Sequence, residues 1–175
     1  SLGKNLEGAI NYNTDVIRPL KNPVYHEGSL AILRGNLAPD GAVIKPAAME
    51  QKFQIHCGPA IVADSYQDLK EIIDDENYPM SPDHILVLRN AGPKGGPGMP
   101  EWGMIPMPKA LLKQGCRDML RLSDARMSGT SFGACILHIA PESFIGGPLA
   151  LIKTGDIIEV DIPNRHLGVN LDEAE

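Results

Sequence analysis

The sequence has few aromatic residues and no run of basic residues. Aromatic side chains make up 5% of the 175 residues, and 16 Lys and Arg stand against 22 Asp and Glu, for a formal charge of -6. A nucleic-acid surface needs clustered positive charge to neutralise phosphates, and single-strand binding also needs aromatic rings on which bases stack. The composition therefore argues against a nucleic-acid partner.

Long apolar runs are missing as well. No stretch reaches the roughly 18 to 20 apolar residues that a membrane helix requires, and residues 1–10 lack the basic and apolar regions of a signal peptide. The three cysteines, Cys57, Cys116 and Cys135, lie far apart and form no CxxC pair. Neither a disulfide scaffold nor a zinc ribbon is indicated. We expect a soluble, unexported protein of the reducing cytoplasm, with no membrane partner.

Glycine and proline are plentiful, at 18 and 15 residues, and both limit the length of helices and strands. Helices are predicted at 66–74, after the N-cap Ser65, and at 108–112. Branched or alternating apolar runs predict strands at 30–34, 42–45, 53–63 with a bend at Gly58-Pro59, 84–88, 135–139, 150–152 and 157–162. The chain is thus expected to contain many short elements.

Strands outnumber helices, and the helices do not alternate regularly with them. This pattern favours a strand-rich α+β unit or a small barrel over a doubly wound sheet. Residues 1–26 mix Asn, Gly and Pro with few apolar repeats, and we interpret them as an extended arm or linker. Residues 27–175 form the predicted domain.

A glycine-rich segment, residues 90–99, follows the predicted strand 84–88. Its glycines would let main-chain N–H groups approach an anion, so this glycine loop is either an anion cradle or a turn-rich connection. A P-loop is excluded because Gly95 follows Lys94, and a dinucleotide fingerprint is excluded because Glu101 replaces its third glycine. Glu101 itself is either a ligand for a hard metal ion or a surface carboxylate.

Hydroxyls, an acid and a guanidinium crowd the second candidate segment, 123–133, SDARMSGTSFG. Its glycines would permit tight turns that bring Ser128 and Thr130 toward a ligand, and Asp124 with Arg126 would form a pair that fixes the loop. The alternative is a capped turn whose hydroxyls satisfy backbone groups. A nucleophile elbow is not supported, because Arg126 stands where the first glycine of G-x-S-x-G belongs.

Three motifs occur together and in order: LRGNLAPDGAVIK at 33–45, LRNAGPKGGPGMPE at 88–101 and SDARMSGTSFG at 123–133. With them, from about Asp15 to the end, the chain resembles the C-terminal domain of the dihydroxy-acid dehydratase and 6-phosphogluconate dehydratase family. The resemblance implies a β-barrel-like swivelling domain with a few flanking helices. It also implies a longer enzyme, whose larger N-terminal domain carries an iron–sulfur cluster and most ligands of a Mg²⁺ ion.

The resemblance implies roles for single residues. The glutamate of GPGM-x-E is a magnesium ligand and falls on Glu101, and the serine of R-x-S-G is the proposed catalytic base and falls on Ser128. In the sugar-acid branch the hydroxyl two residues further on, here Thr130, assists at the substrate. Three further residues are expected to support the loop or contact substrate: Asp124, Arg126 and Gly129.

The implied activity is removal of water from a 2,3-dihydroxy acid to give a 2-keto-3-deoxy acid. Ala125, Met127 and Thr130 replace residues of the TDGRFSGGT form found in amino-acid biosynthesis, which makes the chain similar to pentonate and related sugar-acid dehydratases. The implied partners are the N-terminal domain, a sugar acid and further copies of the enzyme. The isolated domain is expected to fold but to be inactive. A non-enzymatic metabolite-binding or regulatory module on the same fold is the alternative.

Overall fold

Eight strands close into a barrel in residues 1–98 and 100–170, the part of the chain that the computed structural model describes. Met99, at the end of the predicted glycine loop, and 171–175, at the end of the predicted domain, lie outside the described residues. The strands are β1 Ala31–Gly35, β2 Ala38–Ile44, β3 Ile55–Ala63, β4 Ile85–Leu88, β5 Arg121–Ser123, β6 Cys135–Ala140, β7 Ile157–Asp161 and β8 His166–Val169.

The strand order around the barrel is β1-β2-β6-β5-β4-β3-β7-β8. Strands β3, β4, β5 and β6 run parallel to one another. The other half consists of the hairpins β1–β2 and β7–β8, and a parallel contact between Arg34 and His166 closes the ring. The strand-rich, barrel-like α+β prediction is therefore confirmed.

The described helices are short. They are α1 Leu2–Asn5, α2 Tyr66–Asp74 and α3 Lys109–Lys113, with 3-10 turns at Pro46–Ala48, Gln51–Phe53, Ser143–Ile145 and Pro148–Leu151. The Ser65 side chain caps α2 by accepting from the N–H of Asp68, as the sequence predicts. Leu69 and Ile73 of α2 are buried, and the helix packs against β3 and α3. None of the described helices has the length and apolar character needed to cross a membrane.

The hydrophobic core is built from the strands together with side chains of the helices, such as Leu69 and Ile73 of α2. Strand β4, sequence ILVL, is buried at all four positions, which explains its unbroken run of branched side chains. Strand β3 is continuous where a bend was expected: up to Pro59 it pairs with β7, and from Ala60 it pairs with β4. Pro59 therefore lies where the strand changes partner, a position that tolerates the missing N–H.

One predicted strand is wrong. Residues 150–152 lie at the 3-10 turn Pro148–Leu151, since Pro148 sets its first turn and a three-residue apolar run does not specify a strand. Strand β2 starts earlier than expected, so Asp40 and Gly41 lie inside it, next to a register shift against β6. In the predicted arm, residues 1–26, all side chains are exposed except two half-buried prolines, Pro19 and Pro23.

Candidate functional site

Polar residues gather at one edge of the barrel. Because β3, β4, β5 and β6 are parallel, their carboxyl ends meet there. The polar residues that follow these strands within two positions are Asp64, Ser65, Arg89, Asn90, Asp124 and Glu142. Ligands of open α/β sheets bind beside the carboxyl ends of parallel strands, so this carboxyl edge is the natural place for a site.

Asp124 ties the carboxyl edge together. It is 2% exposed, and its carboxylate accepts from the N–H of Ala91 at 2.9 Å, the N–H of Ser143 at 2.9 Å and the Ser143 hydroxyl at 2.5 Å. The loops after β4, β5 and β6 are thus joined by one buried carboxylate. The expected Asp124–Arg126 pair is not formed, because Arg126 is paired with Glu101 instead.

Two residues of the glycine loop, Gly92 and Lys94, pack against a carboxylate of the chain itself. Glu142, 7% exposed, accepts from the N–H of Lys94 at 2.8 and 3.0 Å. A Cβ at Gly92 would collide with the Glu142 carboxylate, so this close approach requires glycine. The N–H group of Lys94 is therefore already used by an internal anion, and Gly92 is explained by packing.

Glu101 forms an ion pair with Arg126. The Glu101 side chain is 57% exposed, which leaves its carboxylate accessible from solvent. The neighbouring Trp102 stacks on Tyr66 of α2, with ring centroids 5.3 Å apart and planes 12° from parallel. This stacking fixes the segment that carries Glu101 against the barrel.

Residues 124–133, here called the serine loop, bring two hydroxyls into contact. The Oγ of Ser128 lies 2.8 Å from the Oγ1 of Thr130 and accepts from the Thr130 N–H at 3.1 Å. Ser128 is half-buried and Thr130 is exposed. Ser131 closes the turn, since its N–H donates to the Ser128 carbonyl and its Oγ accepts from the Ser128 N–H, both at 3.1 Å.

Two side chains that the sequence analysis missed hold the backbone of the serine loop. Lys45, just after β2, donates from Nζ to the carbonyls of Ser128 and Gly129 at 2.9 and 3.0 Å. His138 of β6 accepts from the N–H of Met127 through Nε2 at 2.7 Å. Burial, and to a lesser extent Arg126, lower the pKa of His138, which favours the neutral ring that can accept this bond.

The glycines of the serine loop differ in what they do. Gly133 has φ +82, and a Cβ there would collide with Arg121, which forms a buried ion pair with Asp118 at 2.9 Å. Gly129 lies in the turn that the Ser131 N–H closes onto the Ser128 carbonyl, as expected, but it has no positive φ and no atom within 4 Å of a Cβ, so this turn does not require glycine. Its carbonyl, which binds Lys45, is what connects it to the site.

The predicted site residues are connected by contacts rather than gathered in one cluster. Glu101 meets Arg126, Ser128 meets Thr130, and Asp124 is buried behind them as a loop support. Among residues 1–98 and 100–170, no three His, Cys, Asp or Glu side chains are placed to hold a metal ion together. A Mg²⁺ ion commonly binds through one or two carboxylates plus water and substrate. The accessible Glu101 carboxylate fits that role as one ligand of several.

The sequence matches the family model described as dihydroxy-acid/6-phosphogluconate dehydratase C-terminal over residues 15–175. The chain therefore belongs to this family, as predicted. It is 52% identical over 167 residues to 6-deoxy-6-sulfo-D-gluconate dehydratase of Pseudomonas putida, a match that covers 94% of this chain and 29% of that protein.

Other relatives come from both branches of the family. L-arabinonate dehydratase of Rhizobium leguminosarum bv. trifolii is 45% identical over 170 residues, which is 97% of this chain and 29% of that protein. Dihydroxy-acid dehydratase of Clostridium botulinum is 45% identical over 174 residues, which is 99% of this chain and 31% of that protein. The chain thus spans 29 to 31% of the length of these relatives.

Proposed function

We propose that this chain is the C-terminal catalytic part of a dehydratase that converts a 2,3-dihydroxy sugar acid into a 2-keto-3-deoxy acid. The observation that carries the proposal is the hydrogen-bonded pair of Ser128 and Thr130, on a loop whose Arg126 contacts Glu101. A hydroxyl pair on the loop that also binds an accessible carboxylate through Arg126 suits proton abstraction from a metal-bound substrate. The names of the relatives support the same reaction class.

Ser128 is the proposed base for the proton on C2. A serine accepts a proton only as its alkoxide, which hydrogen bonds to the charged form stabilise. The N–H of Thr130 already donates to the Ser128 Oγ, and the Thr130 hydroxyl lies within donating distance of the same atom. Thr130 therefore supports the base, and its exposed position also leaves it free to contact the substrate.

Glu101 is the proposed protein ligand that this chain contributes to a Mg²⁺ ion. When bound, Mg²⁺ supplies stabilisation of the negative charge that develops on the substrate carboxylate and 2-hydroxyl. The remaining ligands, and those of the iron–sulfur cluster, come from the N-terminal part of the enzyme in this proposal. Arg126 holds the Glu101 carboxylate in place, and Asp124 holds the loops that carry both residues.

The reaction balances without a further reactant. The C2–H bond breaks, its electron pair forms the C2=C3 double bond, and the C3–O bond breaks. The hydroxide that leaves becomes water with the proton that Ser128 has taken up. The resulting enol then tautomerises to the 2-keto acid, and Ser128 returns to its starting form.

The substrate class is a sugar acid rather than a branched-chain dihydroxy acid. The observations behind this choice are Thr130, a second hydroxyl beside the base, and the sugar-acid dehydratases among the relatives. A sugar acid carries additional hydroxyls beyond C3, which a polar loop accommodates better than an alkyl group. Since the reaction needs the N-terminal part, the isolated chain is expected to be inactive.

The test is an anaerobic dehydratase assay on the full-length enzyme, with Mg²⁺ and the iron–sulfur cluster confirmed to be present. Pentonates, hexonates, 6-substituted gluconates and a branched 2,3-dihydroxy acid are assayed side by side for the 2-keto product. We expect turnover of at least one sugar acid in preference to the branched acid. Binding of a sugar acid without turnover would contradict the dehydratase proposal and support the non-enzymatic metabolite-binding module.

A further inference from the structure

Lys45 contacts the backbone of the residue proposed as the base. It follows β2 directly, is half-buried, and donates from Nζ to two successive carbonyls, those of Ser128 and Gly129. Within the described residues it forms no ion pair with an acid. Its charge is therefore directed at the serine loop, 83 residues away in sequence.

The contact constrains the peptide that follows Ser128. Two carbonyls that converge on one ammonium group fix the orientation of the plane between them, and the Ser128 carbonyl also accepts from the N–H of Ser131. The side of the turn opposite these carbonyls carries the Thr130 N–H that reaches the Ser128 Oγ. Releasing the carbonyls would loosen the geometry that supports the base.

The charge also has an electrostatic effect. A cation within hydrogen-bonding distance of the Ser128 carbonyl favours negative charge on the hydroxyl of the same residue. Half-burial reduces solvent screening of this interaction. Lys45 is the last residue of the first of the three family-like motifs, at 33–45. No residue of this motif takes part in the proposed reaction.

We propose that Lys45 is a positioning residue for Ser128: its ammonium group holds the serine loop through the carbonyls of Ser128 and Gly129 and stabilises the deprotonated serine. The inference rests on the proposed dehydratase function. It gives the first motif a role in positioning the serine loop. In this role Lys45 does not contact the substrate.

The experiment compares Lys45→Met, Lys45→Gln and Lys45→Arg in the full-length enzyme, with Lys109→Met as the matched control. Lys109 lies on α3 and forms an exposed ion pair with Asp74. For Lys45→Met we expect kcat to fall by roughly 10- to 100-fold, with KM and the Mg²⁺ requirement changed less than about twofold. Lys45→Arg should restore most of kcat, whereas the neutral Lys45→Gln should not.

Three results would overturn the inference. They are wild-type kcat in Lys45→Met, equal rescue by Gln and Arg, and a raised KM with unchanged kcat, which would make Lys45 a substrate-binding residue. Thermal unfolding and iron–sulfur cluster content are measured on every variant. If Lys45→Met does not fold, the inference is tested by comparing the kcat of Lys45→Gln with that of Lys45→Arg.

A second readout does not depend on activity. Trypsin cleaves after arginine, so cleavage of the Arg126–Met127 bond would report opening of the serine loop. We expect faster cleavage there in Lys45→Met than in Lys109→Met, because the released loop opens more often. If wild-type enzyme dehydrates no acid but this difference is found, the dehydratase proposal fails while loop anchoring stands. If wild-type enzyme is active and the cleavage rates are equal, the anchoring role of Lys45 is wrong.

Discussion

The side chain of Arg126 forms an ion pair with Glu101, 25 residues earlier in the sequence, and so joins two of the motifs. One motif follows β4 and carries the proposed metal ligand. The other follows β5 and carries Ser128. The pair is exposed at the surface, so its contribution to stability is small. Its consequence is geometric: the carboxylate and the hydroxyl pair are held on the same side of the barrel.

Replacing Glu101 by Gln in the full-length enzyme should raise the Mg²⁺ concentration needed for half-maximal activity. The neutral amide is a weaker ligand than a carboxylate, and we expect a shift of roughly tenfold or more. Glu50→Gln is the matched control, since Glu50 is an exposed glutamate paired with Lys52. A Mg²⁺ titration that is the same for Glu101→Gln and wild type would remove Glu101 from the metal site.

Replacing Asp124 by Ala should destabilise the fold by roughly 2 to 4 kcal/mol, because the N–H groups of Ala91 and Ser143 lose their buried acceptor. Chemical denaturation of the 175-residue chain measures the change. Asp64→Ala, which removes an exposed carboxylate paired with Arg89, should cost much less. Equal losses in the two variants would contradict the role of Asp124 as the buried support of the carboxyl edge.

His138 should make stability depend on pH. Its pKa is lowered from 6.5 in the folded state, first by burial and then by Arg126, so the unfolded chain binds a proton more readily. Stability from this group is complete above about pH 6.5 and declines as the pH falls below that value. We expect the Tm difference between pH 7.5 and pH 5.5 to be smaller in His138→Gln than in wild type.

The control for that experiment is His26→Gln, which replaces an exposed histidine of the predicted arm. It should leave the pH dependence of Tm as in the wild type. If His138→Gln shows the same pH dependence of Tm as His26→Gln, burial of the His138 ring is not the cause of the lower stability at acid pH.

The three cysteines should differ in reactivity toward a thiol reagent. Cys57 is exposed, Cys116 is half-buried and Cys135 is buried. Burial raises the pKa of the Cys135 thiol, with Arg121 opposing the shift, so less reactive thiolate forms. We expect one fast thiol, absent from Cys57→Ser, one slower thiol, and one that reacts only after denaturation. Rapid labelling of Cys135 in the folded chain would contradict its position in the core.

Local sequence signals predicted the elements that local interactions determine. The Ser65 cap and apolar stripe specify α2, and the branched run specifies β4. Strand β5 was missed because it has only three residues and begins with Arg121. An arginine does not indicate a buried strand, and Arg121 is buried here because it forms an ion pair with Asp118. Strand β8 was missed because its four residues include Gly168, which weakens a strand pattern.

In the candidate site, too, local sequence identifies single residues but not their long-range contacts. Ser128, Thr130 and Glu101 were named from motifs, yet the partner of Arg126 was predicted wrongly and Lys45 was not noticed. Lys45 reaches the serine loop across 83 residues of sequence, and nothing in its own segment distinguishes it from a solvated lysine. Such contacts are set by the closure of the barrel and not by local pattern.

The most direct test of the central claim is the kcat of sugar-acid dehydration by the full-length enzyme with Ser128→Ala. The control is Ser81→Ala, a half-buried serine that precedes β4 and bonds the ring of His84. We predict that Ser128→Ala lowers kcat by roughly 100-fold or more while Ser81→Ala leaves it near the wild-type value. Wild-type turnover by a folded, cofactor-loaded Ser128→Ala enzyme would contradict the account.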